Sequence, residues 1–230
     1  MRIAHLLVGA ALAALVHSAA ATPVTFTKLT GVTGGTLAAT AVYQADLSGV
    51  GGSILSITIN DNSGGLGGSP GQFSGFDLDA IILSTTNCAT AACAGGLVGM
   101  SVFDFISGIV FSPGTQRPPA DAKLFGTGPG GNTVDNAVAT LGVFDGESTT
   151  AIPGAFGFIS IGDDGVIAFN LTALVDTTGL FLYIGEVGDN GEVAASSVTV
   201  GPGRVPEPAT LALLAIALVG LAVALRRKKK

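Results

Sequence analysis

Two aspartates in the middle of the chain have the spacing of a paired-carboxylate site. Asp77 and Asp79 lie in the segment 74–83, which reads Ser-Gly-Phe-Asp-Leu-Asp-Ala-Ile-Ile-Leu. On a strand, alternate side chains share one face, so the two carboxylates are expected together, about 7 Å apart. Two like charges at that separation favour a bound cation or a raised pKa. Calcium is a candidate, with further oxygen ligands from neighbouring loops. The favoured interpretation is that the two acids simply face water.

The sequence gives little support for other kinds of catalytic site. The two histidines, His5 and His17, both lie in an N-terminal segment with the features of a signal peptide, so the mature protein has no imidazole. This excludes Ser-His-Asp and Cys-His mechanisms and the usual zinc sites. The segment 67–71 matches G-x-S-x-G and 126–131 matches G-x-G-x-x-G, but neither has the strand and helix that those motifs require. The sequence therefore does not predict an enzyme.

The chain has two cysteines, Cys88 and Cys93, separated by four residues. In an oxidising compartment such a pair is expected to form a disulfide, which would close a short loop. A redox-active pair is the alternative, although it would usually have the closer C-x-x-C spacing.

The C-terminal 26 residues have the organisation of a membrane-inserted signal. Residues 209–225 are apolar without a charge, and as a helix they would span about 25 Å, slightly less than the ~30 Å hydrocarbon core. The basic residues that follow should stay in the cytoplasm: Arg226, Arg227, Lys228, Lys229 and Lys230. The residues that precede the helix should be extended because they contain two prolines: Val205, Pro206, Glu207 and Pro208.

This order of motifs resembles the PEP-CTERM sorting signal of Gram-negative envelope proteins, over about a tenth of the chain. The resemblance implies that an integral-membrane exosortase cleaves near Pro-Glu-Pro. The membrane would then hold only the precursor, and the product would reach the cell surface or the extracellular matrix. An ordinary tail anchor is the alternative. The ectodomains of such proteins have no generally assigned activity, so the resemblance implies no catalytic residue.

The N-terminus agrees with export. Arg2 precedes an apolar run over residues 3–16, and small residues follow, which is typical of a secretory signal peptide cleaved after Ala21. The predicted parts are a signal peptide (1–21), an ectodomain (22–200), a linker (201–204) and the sorting signal (205–230). Residues 22–204 contain 4 basic and 15 acidic residues, a net charge of −11. That charge disfavours nucleic acid and leaves cations and neutral polymers as partners.

The ectodomain is predicted to be all-β. Segment 53–60 alternates Leu55, Ile57 and Ile59 with polar residues, the pattern of a half-buried strand. Further candidate strands are 36–44, 73–84, 100–111, 137–144, 155–161, 166–171, 180–186 and 196–200. Many short strands without alternating helices favour an antiparallel β-sandwich, in a jelly-roll-like arrangement. The glycine-rich segment 61–71 is predicted not to pack, and 112–135 is a second loop.

Three function classes are compatible with these observations. The first is a non-enzymatic surface or matrix protein associated with exopolysaccharide and biofilm. The second is a calcium- or carbohydrate-binding surface module, although only Tyr43 and Tyr183 are available beside the phenylalanines and there is no tryptophan. The third, a glycosidase with two carboxylates, is the least favoured.

Overall fold

The computed structural model describes residues 20–147 and 157–200. These residues form short strands, two helices of one turn and a 3₁₀ turn at Gly71–Phe73. The strands are β1 (Ala20–Val24), β2 (Thr27–Thr33), β3 (Thr40–Asp46), β4 (Ser53–Asp61), β5 (Asp77–Ser84), β6 (Ile109–Ser112), β7 (Ile159–Ser160), β8 (Val166–Asp176), β9 (Phe181–Val187) and β10 (Ala194–Val200). The helices are α1 (Ala91–Gly95) and α2 (Asn136–Ala139).

The strands form two antiparallel sheets of five strands each. Sheet A has the order β1-β10-β4-β8-β6, and sheet B has the order β2-β3-β9-β5-β7. The strands next to one another in a sheet are mostly distant in sequence, as when β10 pairs with both β1 and β4. This architecture confirms the predicted antiparallel β-sandwich, while the jelly-roll connectivity stays a prediction.

The main hydrophobic core draws side chains from both sheets. Sheet A contributes Ile57, Ile59, Ile167, Phe169 and Val198, and sheet B contributes Leu78, Ile81, Leu83, Leu182 and Ile184. Most of these residues alternate along their strands with side chains on the opposite face, because successive residues of a strand point to opposite sides. Each such aliphatic side chain contributes about 1.5–3 kcal/mol when it is fully buried.

The other face of sheet B carries a second, smaller cluster beneath α1. Val42, Ala80 and Tyr183 of the sheet pack there with Ala91 and Ala94 of the helix. Thr90 caps α1, since its hydroxyl accepts a hydrogen bond from the Cys93 N–H at 3.2 Å.

The predicted disulfide Cys88–Cys93 is present and closes the loop that leads into α1. The buried Tyr183 hydroxyl fastens this loop to sheet B. It accepts a hydrogen bond from the Cys88 N–H at 3.0 Å and donates one to the Thr86 carbonyl at 2.6 Å. The disulfide therefore stabilises the loop and the helix α1 that pack on this face of sheet B.

Several predicted strands agree with the structure and others do not. Segments 36–44, 53–60, 166–171, 180–186 and 196–200 correspond to β3, β4, β8, β9 and β10. Within segments 73–84 and 100–111 and the described part of 155–161, the structure has only the shorter strands β5, β6 and β7. Segment 137–144 contains no strand; it overlaps α2, because the Asp135 side chain caps a helical turn by accepting from the Ala137 N–H. Strands β1 and β2 were not predicted.

The predicted face of β4 also needs correction. Ile54 is fully buried with Ile57 and Ile59, whereas Leu55 is only partly buried. The pairing register of β4 with β8 shifts between Ile54 and Ser56, which moves the first residues of the strand out of the simple alternation.

The predicted signal peptide, linker and sorting signal lie outside the described residues, apart from Ala20 and Ala21. These two residues belong to β1, so cleavage after Ala21 would leave the pairs Thr22–Val198, Pro23–Ser197 and Val24–Ser196 to hold that strand. In the part of the chain described here, no helix is long and apolar enough to cross a bilayer.

Candidate functional site

Asp77 and Asp79 both lie on β5, but they do not face water. Their exposed fractions are 4% and 0%. The two aspartates also have different partners, Ser160 for Asp77 and Thr40 for Asp79. The expectation of two solvated acids is therefore wrong, because the strand that carries them is buried along its whole length.

Asp79 is held by donors on both oxygens. The Thr40 hydroxyl donates to Oδ2 at 2.5 Å, and the Gly146 N–H donates to Oδ1 at 3.1 Å. Burial raises the pKa of Asp79 to about 8, so the carboxyl is largely protonated at neutral pH. Asp145 is close enough to share a proton with it, and burial raises the pKa of Asp145 as well. The Thr140 hydroxyl lies 3.1 and 3.0 Å from the two Asp145 oxygens.

Asp77 belongs to a different group of acids, at the start of β5. The Ser160 hydroxyl on β7 donates to its Oδ1 at 2.5 Å. Burial raises the pKa of Asp77 well above its ordinary value, and the nearby charges of Glu192 and Glu186 add to this effect. A neutral carboxyl is the form that such surroundings favour.

Glu186 and Glu192 complete this group and were missed by the sequence reasoning. Both are completely buried, and burial raises the pKa of each to about 8. Among the described residues, neither oxygen of Glu186 has a hydrogen-bond partner, and Oε2 of Glu192 has none either. Residues 188–192 read Gly-Asp-Asn-Gly-Glu, a composition that predicts a tight turn rather than a buried acid. It is indeed a turn, since Asp189 and its flanking glycines have positive φ, but the glutamate at its end points inward.

Arg117 is a cation that contacts this group of acids, and it comes from the second predicted loop. Its Nη2 lies 3.3 Å from Glu192 Oε1, and its Nε lies 3.3 Å from Asp163 Oδ1. The same guanidinium donates to the carbonyls of Gly67 and Ser69, the latter at 3.2 Å. One side chain thus joins two acids to the glycine-rich segment 61–71.

This contact corrects the prediction that the glycine-rich segment does not pack. A Cβ on Gly68 would lie 1.7 Å from Glu192 Oε1, and one on Gly67 would lie 2.7 Å from the Glu192 backbone nitrogen. The segment needs glycine because its backbone lies directly on the buried glutamate, and both residues have positive φ.

The calcium prediction for Asp77 and Asp79 stays a prediction. Among residues 20–147 and 157–200, no three acidic, histidine or cysteine side chains are grouped so that they could hold a metal ion. Both oxygens of Asp79 already accept hydrogen bonds. In this arrangement the buried carboxyls can keep their protons at neutral pH, whereas general acid catalysis would also require contact with a substrate.

The sandwich also has a partly open pocket of about 270 Å³, lined by Ile81, Ile82, Met100, Phe103 and Phe105 together with small residues. Phe103 and Phe105 stack with their planes 9° apart. No carboxyl group lines this pocket, so the pocket is separate from the buried acids.

The predicted sorting residues, from Val205 to Pro208 and from Arg226 to Lys230, lie outside the described residues. A family model for the PEP-CTERM protein-sorting motif matches residues 204–228, which confirms the resemblance found from the sequence. No curated protein and no solved structure is detectably similar to the chain.

Proposed function

We propose that this chain, which carries the PEP-CTERM protein-sorting motif, is a non-enzymatic protein of the cell surface or extracellular matrix that an exosortase releases from its membrane anchor. The single observation that carries the proposal is the match at residues 204–228. That match coincides with the Pro-Glu-Pro, the apolar run and the basic cluster. The motif supports an exported protein that is sorted by an exosortase. The surface or matrix destination and the lack of catalysis are further parts of the proposal.

The absence of catalysis is supported by where the perturbed acids lie. Carboxyls with a pKa near 8 often mark active sites, but here Asp79, Glu186 and Glu192 are each completely buried. Asp79 accepts hydrogen bonds from Thr40 and Gly146, and Glu192 forms an ion pair with Arg117. These are the features of acids that shape a structure, and the predicted mature chain has no histidine to act as a base.

Association with exopolysaccharide is the partner that we propose for the released protein. Its predicted net charge of −11 disfavours polyanions such as nucleic acids and permits neutral polymers. In the described part of the chain, each of the three basic side chains already has a partner within the protein. Lys28 pairs with Asp189, Arg117 with Glu192 and Asp163, and Lys123 donates to the Thr127 carbonyl.

The proposal is tested by replacing both Pro206 and Pro208 with alanine in the full-length chain. An anchor needs only an apolar helix and flanking cations, whereas a recognised signal needs the rigid, donor-free backbone that proline supplies. The variant should insert into the membrane, accumulate as full-length precursor and disappear from the surface fraction.

A Pro202→Ala variant is the matched control, since it removes a proline from the spacer before the motif. It should be processed like the parent protein. If the double variant is also processed like the parent, the motif is incidental and the sorting part of the proposal fails. Recovery of the processed protein with purified exopolysaccharide tests the partner separately.

A further inference from the structure

We propose that two neighbouring pockets, both lined by Phe105, form a groove that binds the sugar rings of a neutral polysaccharide. The first is the partly open pocket of about 270 Å³ described above. The second has a volume of about 100 Å³, and apolar side chains line it together with Asn132, Thr133 and Asn136. This inference rests on the proposed association with exopolysaccharide and assigns that association a place on the protein.

The first feature of the groove is a rigid aromatic platform. Phe103 and Phe105 stack with their ring centroids 5.6 Å apart, and Phe169 packs edge-to-face against them at 5.9 and 6.3 Å. Phe169 belongs to β8 and is buried in the core. Asp104 lies between the two stacked residues and fixes their turn by accepting a hydrogen bond from the Ile106 N–H at 2.9 Å. The rings are therefore held in place without a ligand, which lowers the entropic cost of binding.

Glycines leave room beside these rings. A Cβ on Gly99 would lie 2.9 Å from Cγ2 of Ile82, and a Cβ on Gly142 would lie 3.4 Å from Cε2 of Phe105. A side chain at either position would crowd the first pocket. The face of an aromatic ring is electron-rich, so it attracts the weakly positive C–H groups on the flat side of a sugar ring.

The second pocket adds polar groups next to the platform. Asn132, Thr133 and Asn136 are exposed and line it. The Asn136 side chain donates a hydrogen bond to the Phe105 carbonyl at 2.5 Å, which fixes this amide at the platform. An amide has two N–H donors and a carbonyl acceptor, so Asn136 has further bonding capacity. Side-chain amides and hydroxyls can bind sugar hydroxyls, which both donate and accept hydrogen bonds.

The charge of the groove selects a neutral ligand. Among the described residues, no charged side chain lines either pocket. The predicted body has a net charge of −11, so an anionic polymer would be repelled and would find no cation in the groove. A purely apolar ligand would leave the amides of the second pocket unpaired, at a cost in free energy. A neutral sugar chain matches both the aromatic and the polar groups.

The test is electrophoresis of the purified, processed protein through native gels that contain a polysaccharide. Three neutral polymers are used, namely dextran, mannan and galactan, and alginate is the anionic control. At least one neutral polymer should retard the protein, and alginate should not. If no neutral polymer retards the parent protein, or if only alginate does, the proposal is overturned.

Two variants place the binding in the groove. Phe105→Leu keeps an apolar side chain but removes the aromatic face, and it should weaken binding about two- to tenfold. Asn132→Ala changes an exposed side chain and should weaken binding about fivefold, the effect of one lost hydrogen bond. Phe73→Leu and Asn62→Ala are the matched controls, because neither residue lines a groove pocket, and both should bind like the parent. Melting followed by circular dichroism checks that each variant is folded.

The outcomes separate this inference from the proposed function. If folded Phe105→Leu and Asn132→Ala both bind like the parent, the groove is not the site, although the association with polysaccharide stands. If the parent binds no neutral polymer but is still processed in cells, sorting by the exosortase stands and the groove proposal fails. Light scattering tests another occupant: self-association that Phe105→Leu abolishes would show that the groove binds a second copy of the chain, which also overturns the proposal.

Discussion

Replacing Glu186 by glutamine should change how the stability of the protein depends on pH. The carboxyl is buried and its pKa is raised from 4.5 to about 8. Between those pH values the folded protein keeps a proton that the unfolded chain has lost. The contribution of this proton is therefore fully present below pH 4.5 and is lost as the pH rises through 8, at about 1.4 kcal/mol per pH unit.

The expected effect is large enough to measure. Over the interval from 4.5 to 8, one carboxyl accounts for roughly 5 kcal/mol. This is comparable with the whole stability of a small domain, roughly 5–15 kcal/mol. Glutamine does not titrate, but its buried amide costs about 1–3 kcal/mol if it finds no partner. The variant should therefore be slightly less stable than the parent near the acidic limit, and more stable by about 2–4 kcal/mol at alkaline pH.

The assay is urea unfolding of the exported protein at several pH values between about 5 and 9, followed by circular dichroism. Lys28, Tyr43, Asp189, Glu192 and Asp77 also act on this region, so the difference between variant and parent isolates Glu186 better than either slope alone. An Asp164→Asn variant, which removes one exposed charge, is the control and should follow the parent. Parallel stability curves for the parent and Glu186→Gln would refute the reasoning, because they would show that Glu186 is already ionised in the folded state.

Two further predictions concern Arg117 and the predicted calcium site. Arg117→Ala should lower the free energy of unfolding by about 3 kcal/mol, because Glu192 and two loop carbonyls lose their donor. Limited proteolysis should then cut within the glycine-rich segment; an uncut segment would show that Arg117 does not hold it. Millimolar calcium should leave the melting temperature unchanged, because both oxygens of Asp79 already accept hydrogen bonds. A rise that Asp77→Asn abolishes would instead establish the calcium site predicted from the sequence.

The sequence predicted the strands whose apolar residues alternate or run together, and it missed those whose residues are mostly exposed. Strands β8 and β9 have such patterns. Strand β2 is rich in threonine and exposes most of its residues, so its sequence gives little period-two signal. Segment 137–144 looked like a strand because it contains valine, leucine and phenylalanine, yet a single aspartate cap is enough to start a helical turn there.

Only part of the candidate site could be predicted from the sequence, for a different reason. The spacing of Asp77 and Asp79 is a local property, so it could be read from the chain. Their surroundings come from distant parts of the chain, with Ser160, Glu186 and Glu192 around Asp77 and with Thr40 and Gly146 around Asp79. A single sequence does not reveal such pairings, and acids in a glycine-rich context are ordinarily assigned to the surface.

The position of β10 also determines the order in which the exported chain can complete its fold. It is the last strand of the described residues, yet it lies inside sheet A between β1 and β4. The N-terminal strand therefore has no neighbour in that sheet until nearly the whole body has been synthesised and translocated. Contacts between such distant segments form slowly, because a long loop must close before they are gained. The exported body can close only after its C-terminal strand has emerged, so completion of the sandwich is tied to the arrival of the segment that directs sorting.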